Sequence, residues 1–201
     1  MGDYQLFQPL TKEDKVTVVV YRIGIALSSL IMVFLAFLAW SASRSENPTT
    51  FALLANVLLL SLHVSVGLSV IFIHLYVGKF HQMLKGLYAV AIAAVVVLLI
   101  VGKGSLIAAL ADRSFLAALL LPLSGCLGFI TAKEAFCFRL TEGYLLALVM
   151  PLYLLLIAAG GMTPGGVSYG LVLIAAMLVL FTVRKVFMPL HTDIGDKSAY
   201  S

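Results

Sequence analysis

The sequence predicts an all-α protein, a polytopic transmembrane helix bundle of six spans forming a single integral membrane domain over residues 1–201. Three observations carry that prediction. The first is composition: 62% of the 201 residues are AVILMFWYC, and the 13 Lys/Arg and 9 Asp/Glu make up only 11%. A soluble domain carries about 25% charged residues and about 45–50% apolar ones, so this chain has too little charge to coat a globule in water. The second is that the apolar residues gather into runs of the length a helix needs to cross the hydrocarbon core, about 20 residues. Inside that core the backbone must satisfy its own hydrogen bonds, which selects helices. The third is that the few charges fall almost entirely between the runs. Together these exclude disorder, a collagen, a disulfide scaffold and a soluble enzyme.

In order along the chain, a polar leader (1–15) precedes a first run over 16–40, which ends in Ser43-Arg44-Ser45-Glu46-Asn47-Pro48. The leader holds Asp3, Glu13 and Asp14, and the run exceeds the roughly 7–15 residues of a signal-peptide core, so a retained helix is expected. The second run covers 51–77. The third covers 83–101 and is broken by Gly102-Lys103-Gly104. Leu106 to Ala111 reads as a short interfacial turn before the fourth run, 115–132, where Pro122 with Ser124, Gly125 and Gly128 predicts a bend. Pro151 predicts another in the fifth run, 143–159. The glycine-rich break from Gly160 to Gly166 separates that run from the sixth, 167–187, and a polar tail (188–201) follows.

Lys and Arg set the orientation. Lys12, Lys15, Arg22, Lys79, Lys85, Lys133, Arg139, Arg184, Lys185 and Lys197 lie on one side, and only Arg44, Lys103 and Arg113 on the other. The positive-inside rule then places both termini in the cytoplasm or stroma. The formal charge of +4 is this orientation signal; the interleaved aromatics of a nucleic-acid surface are missing, so no nucleic-acid partner is expected. Cys126 and Cys137 form no CxxC and read as small buried hydrophobes.

The second run carries the most chemistry. His63, His74 and His81 are spaced by eleven and seven residues, which at about 100° per residue points all three within roughly 20° of one direction. Asn56 shares that stripe. Ser61, Ser65 and Ser69 recur every fourth residue on the other side, a spacing that lets helices approach closely in lipid. A helix polar on both sides is expected at the centre of the bundle, with His63 near mid-bilayer and His74 and His81 at the cytoplasmic interface. A buried imidazole is costly in lipid and functional by default. Two readings stand: His63 hydrogen-bonds a serine or carbonyl while His74 and His81 reach headgroups, or His63 and His74 are axial ligands of a tetrapyrrole. Haem b held by two histidines would need a second copy or a partner subunit, because no other run contains a histidine; chlorophyll needs only one.

The segment 131–143 places Lys133, Glu134, Phe136, Phe138, Arg139 and Glu142 close together. It is expected to lie along the membrane surface, with phenylalanines in the headgroup boundary and bases on lipid phosphates. It is either a self-paired hinge or a docking surface for a partner protein. Catalysis is not expected: there is no HExxH, no pair of membrane-embedded Asp, no GxSxG and no phosphate loop. Bent spans can mark transport sites, yet only His63 offers an ionisable group at depth and the halves show no internal repeat.

Two stretches, Gly128 to Phe138 with Glu142-Gly143, and Met188 to Lys197, resemble an uncharacterised integral-membrane family of cyanobacteria and the plastid lineage. The resemblance implies a photosynthetic setting (a thylakoid or plasma membrane of a cyanobacterium, or a plastid membrane), where small multispan proteins accompany the assembly of photosystems; it assigns no ligand or catalytic residue. Two expectations follow. One is a non-enzymatic accessory or assembly protein that works by helix packing and docking on a membrane-protein partner complex, with chlorophyll or another tetrapyrrole on His63 or His74 as an option. The other is a small-solute permease or channel along the His63 stripe and the bent fourth and fifth spans.

Overall fold

Six helices long and apolar enough to cross a bilayer are present in the structure, a computed structural model that describes residues 11–45, 51–75 and 77–194. Among the described residues every regular element is helical. The leader residues 1–10, the connection 46–50 with Glu46, Asn47 and Pro48, and Lys197 lie outside them.

Helix α1 (Lys12–Ala42) starts at a capping box: Thr11 Oγ1 accepts from the Asp14 N–H and the Asp14 carboxylate accepts from the Thr11 N–H. This satisfies two of the donors that every helix start leaves open. With 31 residues it is roughly 46 Å long at about 1.5 Å per residue, so its first turns project beyond the hydrocarbon core at the end of the bundle rich in bases.

Helix α2 (Ala52–Phe72) stops five residues before the expected end of its run, because Ile73 turns extended (ψ 133°). Its 21 residues already cover the roughly 30 Å of the core. This corrects the histidine stripe. His74 lies in the connection and His81 on α3 (Gly78–Val101), so the three imidazoles do not share one helix face.

The short turn expected before the fourth span is a helix, α4 (Leu106–Asp112), capped by Ser105 Oγ. Asn56 of α2 fastens it: Oδ1 accepts from the Ile107 N–H at 2.9 Å and Nδ2 donates to Ser105 Oγ at 3.0 Å. A 3-10 segment, Ser114–Leu120, then passes into α5 (Leu121–Phe138). Pro122 sits in the first turn of α5, where its missing N–H is tolerated, so the expected bend is a change of helical pitch at the helix start.

The segment 131–143 does not run along the surface. It consists of the last two turns of α5, a tight connection at Arg139 (φ 55°) and Leu140, and the start of α6 (Thr141–Ala158). Helix α6 ends at Gly160, whose φ of 69° lets the Gly161 N–H reach Leu156 O at 3.0 Å, the closure for which glycine is favoured. Helix α7 (Pro164–Val186) is capped by Thr163, and a single turn, α8 (His191–Ile194), follows it.

Helix α1 packs between α2 and α7; α7 packs on α6, α6 on α5, and α5 on α2, which closes a ring with α3 outside against α5. Two serines of the row, Ser65 and Ser69, sit where α2 closely approaches α1, while Ser61 donates to Val57 O one turn back on its own helix. A Cβ added at Gly24 would come within 2.8 Å of Ser65 O, Ser28 Oγ lies 2.8 Å from Ser65 Oγ, and Ser69 donates to Tyr21 O at 3.3 Å. Helix α2 is not surrounded, however. Val57, Leu60, Val64 and Ile71 form an exposed stripe, so its polar faces turn inward while this third face meets lipid.

Replacing Gly24 by Leu should destabilise the protein by about 1–3 kcal/mol through overpacking, read as a lower melting temperature in detergent. Gly86→Leu, where a Cβ meets nothing within 4 Å, should leave the melt unchanged. Equal melting of the two variants would contradict the α1–α2 crossing described above.

Candidate functional site

At the base-rich end the side chains of four helices converge on one lysine. Lys185, in the last turn of α7, is fully buried and ion-paired to Glu134 of α5 and Asp193 of α8. Its Nζ also sits 4.1 Å from the centroid of the Phe138 ring. Arg22 of α1 holds Asp193 from the other side, with Nε at 2.7 Å and Nη2 at 2.5 Å from Oδ2. Its remaining N–H groups donate to Val186 O at 3.1 Å, Met188 O at 2.5 Å and Pro189 O at 3.0 Å, so all five guanidinium donors have acceptors. Tyr21 donates to Glu134 Oε1 at 2.7 Å, and Lys133 Nζ reaches the same oxygen at 2.8 Å. Alongside, Arg184 of α7 donates to both carboxylate oxygens of Glu142 on α6, at 2.7 and 2.8 Å.

In the inner cluster three bases (Arg22, Lys133, Lys185) face two acids (Glu134, Asp193). The excess positive charge falls on Arg22, which caps carbonyls at the C-terminal end of α7, where the helix dipole is negative. Burying ions costs several kcal/mol each unless ion pairs and further hydrogen bonds compensate; here the ion pairs compensate, and Glu134 Oε2 has Lys185 as its ion-pair partner but no hydrogen bond.

These positions correct several expectations. Arg22 is a buried tether, two turns deeper than a flanking charge. Glu134 is 0% exposed and Glu142 6% exposed, so both turn into the bundle. Of the six residues expected on a docking surface, Phe136 and Arg139 are exposed, while Lys133 and Phe138 are half-buried. Cys137 is exposed and only Cys126 is buried. The sequence carried one overlooked signal: Glu134, Glu142 and Asp193 are acids in a flank otherwise selected for bases.

The histidines are engaged locally. His63 is buried and its Nδ1–H donates to Leu59 O at 2.8 Å, one turn back on its own helix, and Tyr88 donates to His63 O at 2.9 Å. His74 Nε2 lies 3.3 Å from Thr17 Oγ1. Burial, and then the charge of Lys133, hold the His74 imidazole below the ordinary histidine pKa, against the opposite pull of Asp193 and Asp14; it is therefore neutral at neutral pH. His81 Nε2 donates to Val70 O at 3.1 Å. Among the described residues no group of three or more His, Cys, Asp or Glu is placed to hold a metal.

At the far end the ring of helices leaves space. A cavity of about 470 Å³ lies between the last turns of α1, the first turns of α2, helix α4 and the facing turns of α6 and α7. A second, of about 110 Å³, continues toward the middle of the bundle. The two share Leu35, Leu59, Leu120, Tyr153, Leu154 and Leu171 as walls. The hydroxyls on these walls have already donated their protons: Ser43 to Trp40 O, Ser124 to Leu121 O, Tyr153 to Val167 O and Ser168 to Ala39 O. The walls therefore offer hydrocarbon and no free donor. Neither cavity is lined by His63 or His74. At the same end of the bundle the Arg44 guanidinium stacks 4.1 Å over the ring of Trp40, which meets Tyr169 of α7 edge-on at 5.1 Å; none of the three lines either cavity.

Residues 68–201 match the family described as "Uncharacterized integral membrane protein (DUF2301)". The match bears out the resemblance as to family and names no lineage. It includes both stretches that carried the resemblance, and these meet in space, because Glu134 of the first and Asp193 of the second bind the same Lys185. No curated protein and no solved structure matches the chain.

Lys185→Met should cost about 3–5 kcal/mol, the price of stranding buried partners, measured by unfolding in mixed micelles at increasing dodecyl sulfate. Arg113→Gln, which breaks an exposed pair of 3.3 Å with Asp112, should change stability by less than about 0.5 kcal/mol. A Lys185 variant as stable as the Arg113 variant would refute the cluster as a tether.

Proposed function

We propose, for a chain that belongs to the uncharacterised integral membrane family DUF2301, that it is a non-enzymatic multi-pass protein whose far-end cavity holds an apolar molecule drawn from the bilayer. The observation that carries this reading is the cavity itself. Its volume of about 470 Å³ falls within the roughly 300–1,000 Å³ of small-molecule sites and is far larger than the voids of a packed interior. A polar solute entering it would lose water and find no free donor and few acceptors, at a cost of several kcal/mol per unpaired polar group; a hydrocarbon loses nothing. The same argument disfavours a hydrophilic-solute permease, even though α5 and α6 border the deeper cavity. Absence of catalysis is supported by the base-rich end, where the acids and bases are engaged with one another and hold the helices together.

In this reading the protein is an accessory to a membrane process. The photosynthetic setting implied by the resemblance, and a partner complex docked near Phe136 and Arg139, belong to the same proposal; gentle purification from the native membrane, with identification of what accompanies the chain, tests them. A lone protein would remove that part.

Trp40 is the chain's single tryptophan, and its neighbours Ala39 and Ser43 line the cavity. A brominated long-chain alcohol added to detergent-solubilised protein should quench Trp40 saturably. Ala55→Phe and Ala111→Phe, which put a ring into the cavity from α2 and α4, should each remove the saturable part. Quenching that only rises linearly, as for partition into detergent, would overturn the reading.

A further inference from the structure

We propose that α4 is a lateral gate: a lid between the cavity and the bilayer, latched to α2 by Asn56, through which the occupant enters and leaves. This rests on the cavity reading above and adds the route.

Around the cavity each wall element touches the next: α1 on α2, α2 on α4, α4 on the 3-10 segment, that segment on α6, α6 on α7 and α7 on α1. The exposed wall residues Ser43 and Pro164 stand at helix ends on the far side of the bundle. A molecule entering past them would first have to leave hydrocarbon. Entry from the hydrocarbon itself requires two neighbours in the ring to part. Five of the six elements belong to membrane-spanning helices. The sixth, α4, has seven residues, about 10 Å at about 1.5 Å per residue, and contributes Ile107, Leu110 and Ala111 to the wall.

The direction of Asn56 identifies the seam. On α2 the cavity is lined by Ala52, Ala55 and Leu59, while Leu53, Val57 and Leu60 are exposed to lipid. At about 100° per residue Asn56 points midway between these two faces. Its contact with α4 is therefore the wall between cavity and bilayer. That contact consists of the hydrogen bond to Ser105 Oγ and the one from the Ile107 N–H. The rest of the attachment is apolar, with Leu106 and Ala109 buried, and apolar surfaces part in lipid without a hydrophobic penalty. The two hydrogen bonds are thus what opening must break.

Both flanks of α4 are joints. Before it the backbone passes through left-handed Lys103 (φ 50°) and Gly104 (φ 92°). After it Arg113 is extended (φ −140°, ψ 99°) and leads into the 3-10 segment. Neither flank continues the α-helix, so α4 can leave α2 as a unit without bending a span.

The test follows Trp40 quenching by a brominated long-chain alcohol after rapid mixing with detergent-solubilised protein, and its recovery after rapid dilution of the loaded protein. Asn56→Leu should raise the association and dissociation rates together, each about tenfold for the loss of two hydrogen bonds, and leave the midpoint within about twofold. Equal acceleration in both directions marks a gate; a merely loosened site would dissociate faster and weaken the midpoint. In a chain carrying Cys137→Ser, which removes the exposed thiol, Asn56→Cys with Ser105→Cys puts two thiols where a 3.0 Å hydrogen bond stood. Bridging them with a short cleavable linker should slow both rates by about tenfold or more, and cleavage should restore them. This arm decides the matter should Asn56→Leu fail to fold. Parent-like rates in Asn56→Leu, an effect on dissociation alone, or unchanged exchange in the bridged chain would overturn the gate while leaving the cavity reading intact. Failure of the parent protein to show saturable quenching would instead overturn the cavity reading.

Discussion

The structure is organised around a lysine that cannot be left alone. Lys185 is fully buried at the end of a membrane-spanning helix, and a buried ammonium is tolerable only when opposite charge surrounds it. Glu134 and Asp193 supply that charge from α5 and α8, and each acid then needs a partner of its own. Tyr21, Arg22 and Lys133 complete the set. One desolvated charge thus fixes the positions of four elements and brings the segment after α7 back onto α1. The carbonyls at the end of α7, which no further turn could satisfy, are taken by Arg22, so the same arrangement also solves a helix-terminus problem.

That closure gives the bundle two unlike ends. At the base-rich end ion pairs draw the helices together, although the buried atoms His74 Nδ1, Glu134 Oε2 and Thr182 Oγ1 have no hydrogen-bond partner. At the far end the ring is wedged apart by α4, which Asn56 fastens to α2 through two hydrogen bonds, and by the 3-10 segment that precedes α5. Six alanines stand among the larger wall residues: Ala39, Ala42, Ala52, Ala55, Ala111 and Ala117. Space opens where short side chains face one another around an inserted element, and in lipid no hydrophobic drive between helices acts to close it.

Much of the bundle was legible in the sequence because the bilayer imposes a length and a hydropathy on every span. The six runs, the short element at Leu106 to Ala111 and the serine crossing of α1 and α2 are consequences of local composition. What was illegible depends on partners distant in sequence. Arg22 and Asp193 are 171 positions apart, and a charge near the end of a run looks the same whether it faces headgroups or a buried acid. The histidine stripe failed for a different reason: an apolar run does not state where its helix stops, and α2 stops at Phe72. The cavity left the weakest trace, since it is a deficit of volume shared among residues of six elements.

The size of that deficit decides how the cavity should be understood. A closed void of that volume, about 470 Å³, would cost on the order of 10 kcal/mol at about 24 cal/mol per Å³, as much as the whole stability of a typical domain; this space is open to its surroundings and escapes that cost when it is filled from outside. A bundle carrying that cost would collapse, and the alanine-lined turns of α1, α2 and α4 have little to prevent it except Asn56. In the proposed reading hydrocarbon from the bilayer fills it, because apolar walls lose nothing by that contact. Apolar walls of this kind provide affinity without discrimination among hydrocarbon chains.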